Sequence, residues 1–192
     1  MKKESGRAIA LLREQLRSAW ETMEGTFQDV SPEIAQWIPP GTALPIGAAY
    51  AHVVLSMDEV VNRMVRGERP LRAGAFAGKT GLSELGPGMD PSVPPPASPE
   101  EWGRAFAEWS RRVRVDLPAL RGYGAAVTAA TDAWLATLSE EDLERPVDMS
   151  AEGMGIVTLA FVLNNVVIGH TFCHTGEISA LKGVRGLKGY PF

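Results

Sequence analysis

The chain has 192 residues, 45% hydrophobic and 22% charged, an ordinary composition for a soluble globular protein long enough to bury a core. Its 19 Lys and Arg against 23 Asp and Glu leave a net charge of −4, which supplies no basic footprint and argues against a nucleic-acid partner. The single cysteine, Cys173, excludes an internal disulfide and points to a reducing, cytoplasmic setting.

The start, MKKESGRAIALLREQL, is basic, but charge returns every few residues, so it does not read as a secretory signal. Residues three and four apart share one side of a helix. Ile9, Leu12, Leu16, Trp20, Met23 and Phe27 make such a stripe and predict the first helix, which Ser31-Pro32-Glu33 and Pro39-Pro40-Gly41 then interrupt. A second helix is predicted from about Leu44 to Arg66, with Pro45 tolerated in its first turn and Ile46, Val53, Met57, Val60 and Met64 as its stripe. His52 lies at the edge of that stripe. Its own face carries Ala48, Ala49, Leu55, Ser56 and Glu59, and the two small alanines leave room beside the imidazole. Glu59 and Arg63 have the spacing of a helical ion pair. From Gly67 to Pro99 glycine and proline accumulate, ending in GPGMDPSVPPPASPE, and resist both helix and strand. This 67–99 segment is expected to be a long crossover inside one domain, since neither flank looks self-sufficient.

Ser98-Pro99-Glu100-Glu101 is a helix start, with serine as cap and proline at the first helical position. From there Trp102, Phe106, Trp109, Val113, Leu120, Tyr123, Val127, Trp134 and Leu138 keep one phase through Pro118, Gly122 and Gly124. The expectation is a helix kinked near Pro118, or two stacked pieces with Asp116 capping the second. The five tryptophans fall largely on inward stripes and read as core. Ser139 to Pro146 reads as a turn, and a last helix is predicted from Gly155 to about Lys182, stopped by Gly183 and Gly186. The apolar run Gly155–Gly169 is short for a membrane span and is broken by Asn164 and Asn165, which face away from the histidines. No strand pattern stands out. The fold class is therefore all-α, a four-helix bundle with one long crossover between helices 2 and 3, in a single domain over residues 1–192.

Two of the chain's three histidines fall in GHTFCHTGEI, residues 169–178. On an ideal helix His174, Leu159, Leu163, Val166, Glu177 and Leu181 all lie within about 40° of His170. His170 and His174 thus occupy the apolar seam, their Cβ atoms about 5–6 Å apart. Two imidazoles so placed can converge on one cation at about 2.0–2.1 Å from each nitrogen, and a bundle core can bring His52 to join them. Glu177, one turn on, is expected to face the pocket as ligand, as orienting partner of a histidine, or as general base, balanced by the metal or by Arg63. Cys173 falls beside the seam and reads as packing rather than a ligand. The same residues also suit a core in which histidines merely pack and hydrogen-bond. No dinucleotide fingerprint, phosphate-binding loop or nucleophile elbow is present.

His52, the pair His170-Thr-Phe-Cys-His174, and the following Gly176-Glu177-Ile178 resemble the pattern of the DinB/YfiT-like superfamily of metal-dependent enzymes. The stretch LATLSEEDLERPVD, Leu135 to Asp148, and the early tryptophan-bearing helix are similar as well. The resemblance implies an up-down-down-up bundle, commonly a homodimer. It implies His52, His170 and His174 as ligands of a divalent metal, zinc or nickel, with waters completing the shell. It implies hydrolysis, or transfer or isomerisation using a low-molecular-weight thiol such as mycothiol or bacillithiol, on a small-molecule substrate, with Glu177 the candidate for proton transfer. Many relatives have glutamine where this chain has Glu177. A stress-response protein that binds metal or a small ligand without turnover, and a purely structural bundle, are the competing expectations.

Overall fold

The structure is a computed structural model and describes residues 6–192; the basic start Met1–Ser5 lies outside them. It is mostly helical. Helix α1 (Arg7–Phe27) buries Ile9, Leu12, Leu16, Met23 and Phe27, the stripe read from the sequence. Ser31-Pro32-Glu33 does more than interrupt. The Ser31 hydroxyl accepts the Ile34 N–H at 3.2 Å and starts a short helix, α2 (Pro32–Gln36).

Helix α3 (Ile46–Asp58) starts at Pro45 and runs on as a π-helical stretch, Glu59–Val65. Of its thirteen residues only His52 and Ser56 keep partial exposure; the other eleven are buried. It is the central rod of the molecule, flanked by α2, by α5 (Leu117–Leu135) and by α7 (His170–Val184), while α1 packs on α5 and α7. Gly124, read as an interruption of its helix, lies where α5 crosses its neighbours: a Cβ there would come within 2.5 Å of the Trp20 ring and 3.0 Å of Val54.

The long third stripe resolves into two pieces. Helix α4 (Pro99–Arg112) starts at Ser98, whose hydroxyl accepts the Glu101 N–H at 3.2 Å, and α5 restarts at Asp116, whose carboxylate accepts the Ala119 N–H at 3.2 Å. Trp109 is fully buried, but Trp102 is 42% exposed, so the tryptophans are not uniformly core.

The crossover is tied down at its start. Asp58, fully buried at the end of α3, accepts the backbone N–H groups of Leu71 and Arg72, each at 2.9 Å, the Asn62 amide at 2.7 Å and the Tyr123 hydroxyl at 2.6 Å. Arg72 is buried beside it and pairs with Glu59. Further on, Glu84 binds Arg112, and Leu82 bridges Val115.

Two expectations need correction. Short strands exist, β1 (Pro146–Met149) and β2 (Gly155–Thr158), paired antiparallel with Val147 opposite Val157. Consequently the last helix does not begin at Gly155, which has a φ of 67° and opens β2 instead. Helix α6 (Leu159–Phe161) follows, capped by the Thr158 hydroxyl, and continues as a π-helical stretch, Val162–Gly169, straight into α7. The strands are too short and too near a helix to leave a period-2 signal. Among the described residues no helix is long and apolar enough to cross a membrane.

Candidate metal centre

His52 comes from the middle of α3, His170 and His174 from the first two turns of α7. Each histidine-bearing rod carries a π-helical stretch beside the histidines, after His52 on one and before His170 on the other. Wide turns of this kind re-aim the residues that follow and frequently mark functional sites. Gly169 suits the junction, because a Cβ there would meet the Asn164 carbonyl at 3.1 Å.

The three imidazoles converge. His52 Nε2 lies 3.0 Å from His170 Nε2, which in turn lies 3.0 Å from His174 Nε2. The three candidate ligand atoms all fall within 4.8 Å of one another, a spacing that could hold a metal ion. At ordinary metal–nitrogen distances of about 2.1 Å, ligands about 90° apart are about 3.0 Å from each other, whereas tetrahedral ligands are about 3.4 Å apart. The two 3.0 Å edges are within the range that ligands of one ion span.

The outer nitrogens matter as much. A ring that offers Nε2 to a cation must hold its proton on Nδ1. His174 Nδ1 donates to the Glu177 carboxylate at 2.7 Å, and His52 Nδ1 lies 3.4 Å from the Ser56 hydroxyl. The carboxylate, an acceptor only, favours the His174 tautomer that turns a lone pair inward, and the Ser56 hydroxyl can accept from His52 Nδ1–H in the same sense. Burial, and then the neighbouring His170 and His174, push the His52 pKa down to about 3. Burial and then His174 bring His170 down to about 4. Two Nε2 atoms 3.0 Å apart share an N–H or a bound cation, and a cation is what three inward lone pairs would hold.

Glu177 contacts a histidine, as one of the sequence readings had it, but does not turn into the pocket. Its side chain is 55% exposed, so its carboxylate faces solvent and touches His174 from outside the cluster. The distance to His174 Nδ1 fits an orienting partner and not an additional ligand. Arg63 does not balance it; Arg63 pairs with Glu59, as their spacing predicted. Cys173, expected beside the seam, is exposed, because its direction on α7 falls outside the packed face. Asn164 and Asn165 are exposed, as their direction implied.

Two neighbours of the cluster carry no assigned role in the sequence reading. Ser56 sits one turn beyond His52, a spacing that could have marked it. Phe106 of α4 stands with its ring centroid 4.8 Å from that of His52 and roughly perpendicular to it. Nothing local in the sequence signals that contact, since the whole crossover lies between them. A cavity of about 380 Å³ opens beside Glu177, lined also by Thr42, Ala43, Leu44, Ala180 and Leu181.

A model of the DinB superfamily matches residues 15–178, a span that includes all three histidines and Glu177. A solved structure, that of a conserved protein from Enterococcus faecalis, is similar over 92% of this chain and 96% of its own, with a TM-score of 0.69 and 22% sequence identity. At that identity the likeness is one of fold. No curated protein sequence matches the chain.

Proposed function

The chain belongs to the DinB superfamily, and on that premise we propose that His52, His170 and His174 hold one divalent metal ion at the centre of a metal-dependent enzyme. The observation that carries the reading is the convergence of three Nε2 atoms with two 3.0 Å edges, together with outward Nδ1 partners at Ser56 and Glu177. Three protein ligands leave coordination positions open, the mark of a catalytic rather than a structural site. An all-imidazole donor set suits zinc or nickel.

A divalent ion so held supplies Lewis acidity, which lowers the pKa of a water or thiol that binds it. The rest of the chemistry belongs to the chain. Glu177 holds the Nδ1 proton of His174 and so fixes which nitrogen faces inward; Ser56 does the same, more weakly, for His52. Phe106 packs its ring edge-on against His52. The reaction classes that suit this site are hydrolysis and thiol-dependent transfer or isomerisation of a small-molecule substrate, with mycothiol- or bacillithiol-type thiols as candidates. The competing reading is a protein that binds a metal or small ligand without turnover.

With this goes the reading of residues 1–192 as one domain, an up-down-down-up four-helix bundle of α1, α3, α5 and α7, at work in the cytoplasm as a homodimer. The packing of α1 and α3 each on both α5 and α7 supports the bundle. The exposed Phe161 and Phe172, 40% and 41% accessible, support pairing with a second copy.

Metal analysis after chelation and reloading tests the centre. One ion per chain is expected in the wild type. His174→Ala should lower affinity by more than about a hundredfold while the far-ultraviolet circular dichroism stays helical, since the core does not depend on the ion. Unchanged metal content in that variant refutes the assignment. A panel of hydrolase and thiol-transfer substrates then separates an enzyme from a binding protein.

A further inference from the structure

We propose that the first half of α4, together with the crossover turn Gly86–Met89, is a cover over the mouth of the histidine centre, closed by Phe106 on His52, and that it swings open about its Trp109 end to admit what binds there. The inference rests on the metal reading and adds how the site is reached. Exposure locates the mouth. Along α3 only His52 and Ser56 keep partial exposure, and His170 and His174 are partly exposed as well, so the centre meets solvent along this edge. Phe106 stands at that edge. Among the described residues it is the one aromatic ring from outside α3 and α7 in contact with a histidine, its centroid 4.8 Å from that of His52.

The stretch that carries Phe106 is lightly held. From Pro91 to Glu108 no residue is buried, and the buried residues of α4, Trp109 and Ser110, lie toward its C-terminal end. Side-chain hydrogen bonds in this stretch run between neighbours: Asp90 accepts from Ser92, the Ser98 hydroxyl from the Glu101 N–H, and the Glu101 carboxylate from the Ala97 N–H. Trp102 and Phe106 tie it to the rest. Trp102 lies on the turn Gly86–Met89, where a Cβ on Gly88 would come within 2.3 Å of the indole, and that turn rests on α3, since a Cβ on Gly86 would meet Leu55 at 3.8 Å. The other end of α4 is pinned. The Trp109 indole N–H donates to the Glu84 carbonyl at 3.4 Å, Arg112 pairs with the Glu84 carboxylate at 2.7 Å, and Arg111 donates to the Gly41 carbonyl. A segment with little buried surface and local hydrogen bonds opens at low cost, and one fixed at a single end opens as a flap. Opening parts Phe106 from His52 and leaves the Glu84 anchor in place.

The test reads rates. Zinc(II) uptake by the metal-free full chain, and zinc(II) release into an excess of chromogenic chelator, are each followed by stopped flow. Phe106→Ala should quicken both by the same factor, about two- to tenfold, the scale of one aromatic contact. Zinc affinity should stay within about twofold of the wild type, because a gate changes the path to the site and not the site. Trp102→Ala, which releases the turn Gly86–Met89 rather than His52, should act in the same sense, and it decides the matter if Phe106→Ala does not fold. Unchanged rates overturn the inference and leave the metal reading standing. A loss of affinity with uptake unchanged overturns it too, and makes Phe106 a positioning residue for His52. A chain that binds no zinc overturns the metal reading and this inference with it.

Discussion

His52 and Asp58 lie on the same helix, α3, and each anchors a polar cluster inside an otherwise apolar rod, but the two clusters are built on opposite terms. Around Asp58 every donor points in. Two backbone N–H groups, an amide and a phenol converge on one fully buried carboxylate, and Arg72 stands beside it with its charge against Glu59. Burial first, and then the Asp58 charge, push the Tyr123 phenol far above its usual range, so it stays a donor. Around His52 three ring nitrogens meet across two 3.0 Å edges, while the outer nitrogens of His52 and His174 turn to Ser56 and Glu177. In the first the carboxylate is satisfied by protein donors alone, although Arg72 beside it keeps Nε and Nη1 without a hydrogen-bond partner. The second brings together three ring nitrogens that could hold a cation. A buried carboxylate satisfied by the protein holds the fold, and converging imidazoles make a candidate site.

That difference breaks down if Asp58 can be removed cheaply. Asp58→Ala strands the Tyr123 hydroxyl, the Leu71 and Arg72 N–H groups and the Asn62 amide, and leaves Arg72 with less neutralising charge. Losing one partner of a buried charged network costs about 3–5 kcal/mol. Urea unfolding should register that loss, and metal uptake per folded molecule should stay as in the wild type. A change below about 1 kcal/mol would mean the network is incidental.

The histidine cluster should reveal itself through pH. His52 and His170 have folded pKa values near 3 and 4, below the ordinary value of 6.5. Between those limits the unfolded chain binds more protons than the folded one, so stability of the metal-free protein rises with pH there. It is fully present above about pH 6.5 and is lost as pH falls toward 4. With both groups contributing, the slope approaches about 2–3 kcal/mol per pH unit. Chelator-treated protein followed by denaturant midpoints from pH 7 to 4 should show this. His170→Ala should roughly halve the slope, and an unaltered slope would detach the effect from the cluster.

How much of each cluster was legible in the sequence follows from its geometry. The His170–His174 pair declares itself by a one-turn spacing on an apolar seam, and the capping residues Ser98 and Asp116 by their place before a proline. Asp58 does not, because its donors come from Leu71, Arg72 and Tyr123, on the crossover and on α5, and no periodicity links them. The helices were readable for the same reason that the hairpin was not: α1 repeats its stripe over many turns, whereas β1 and β2 offer four residues each. Glu177 was placed on the right face, next to His174, but its 55% exposure was not readable. A direction on a helical wheel says which way a Cβ points and nothing about where a flexible side chain ends.

The smallest effect sharpens the comparison most, because it touches the open cluster without unmaking it. Glu177→Gln keeps the length and an oxygen that still accepts the His174 Nδ1–H, but removes the charge. Loss of an orienting carboxylate behind a metal-bound histidine lowers metal affinity about tenfold. The same change should hardly move folding stability, since the side chain is 55% exposed and its ion-pair partner a histidine at the surface of the cluster. The binding loss should be recovered on return to Asp or Glu chemistry of the right reach and not by Gln, while Glu177→Ala, which lets the ring turn, should fall further. Competition titration with a chelating dye measures the first quantity and urea unfolding of the metal-free chain the second. If Glu177→Gln instead destabilised the chain as strongly as Asp58→Ala, the histidine cluster would be a second fold anchor. If it abolished metal uptake outright, the carboxylate would be a ligand, and the outward-pointing donor that separates the two clusters would not exist.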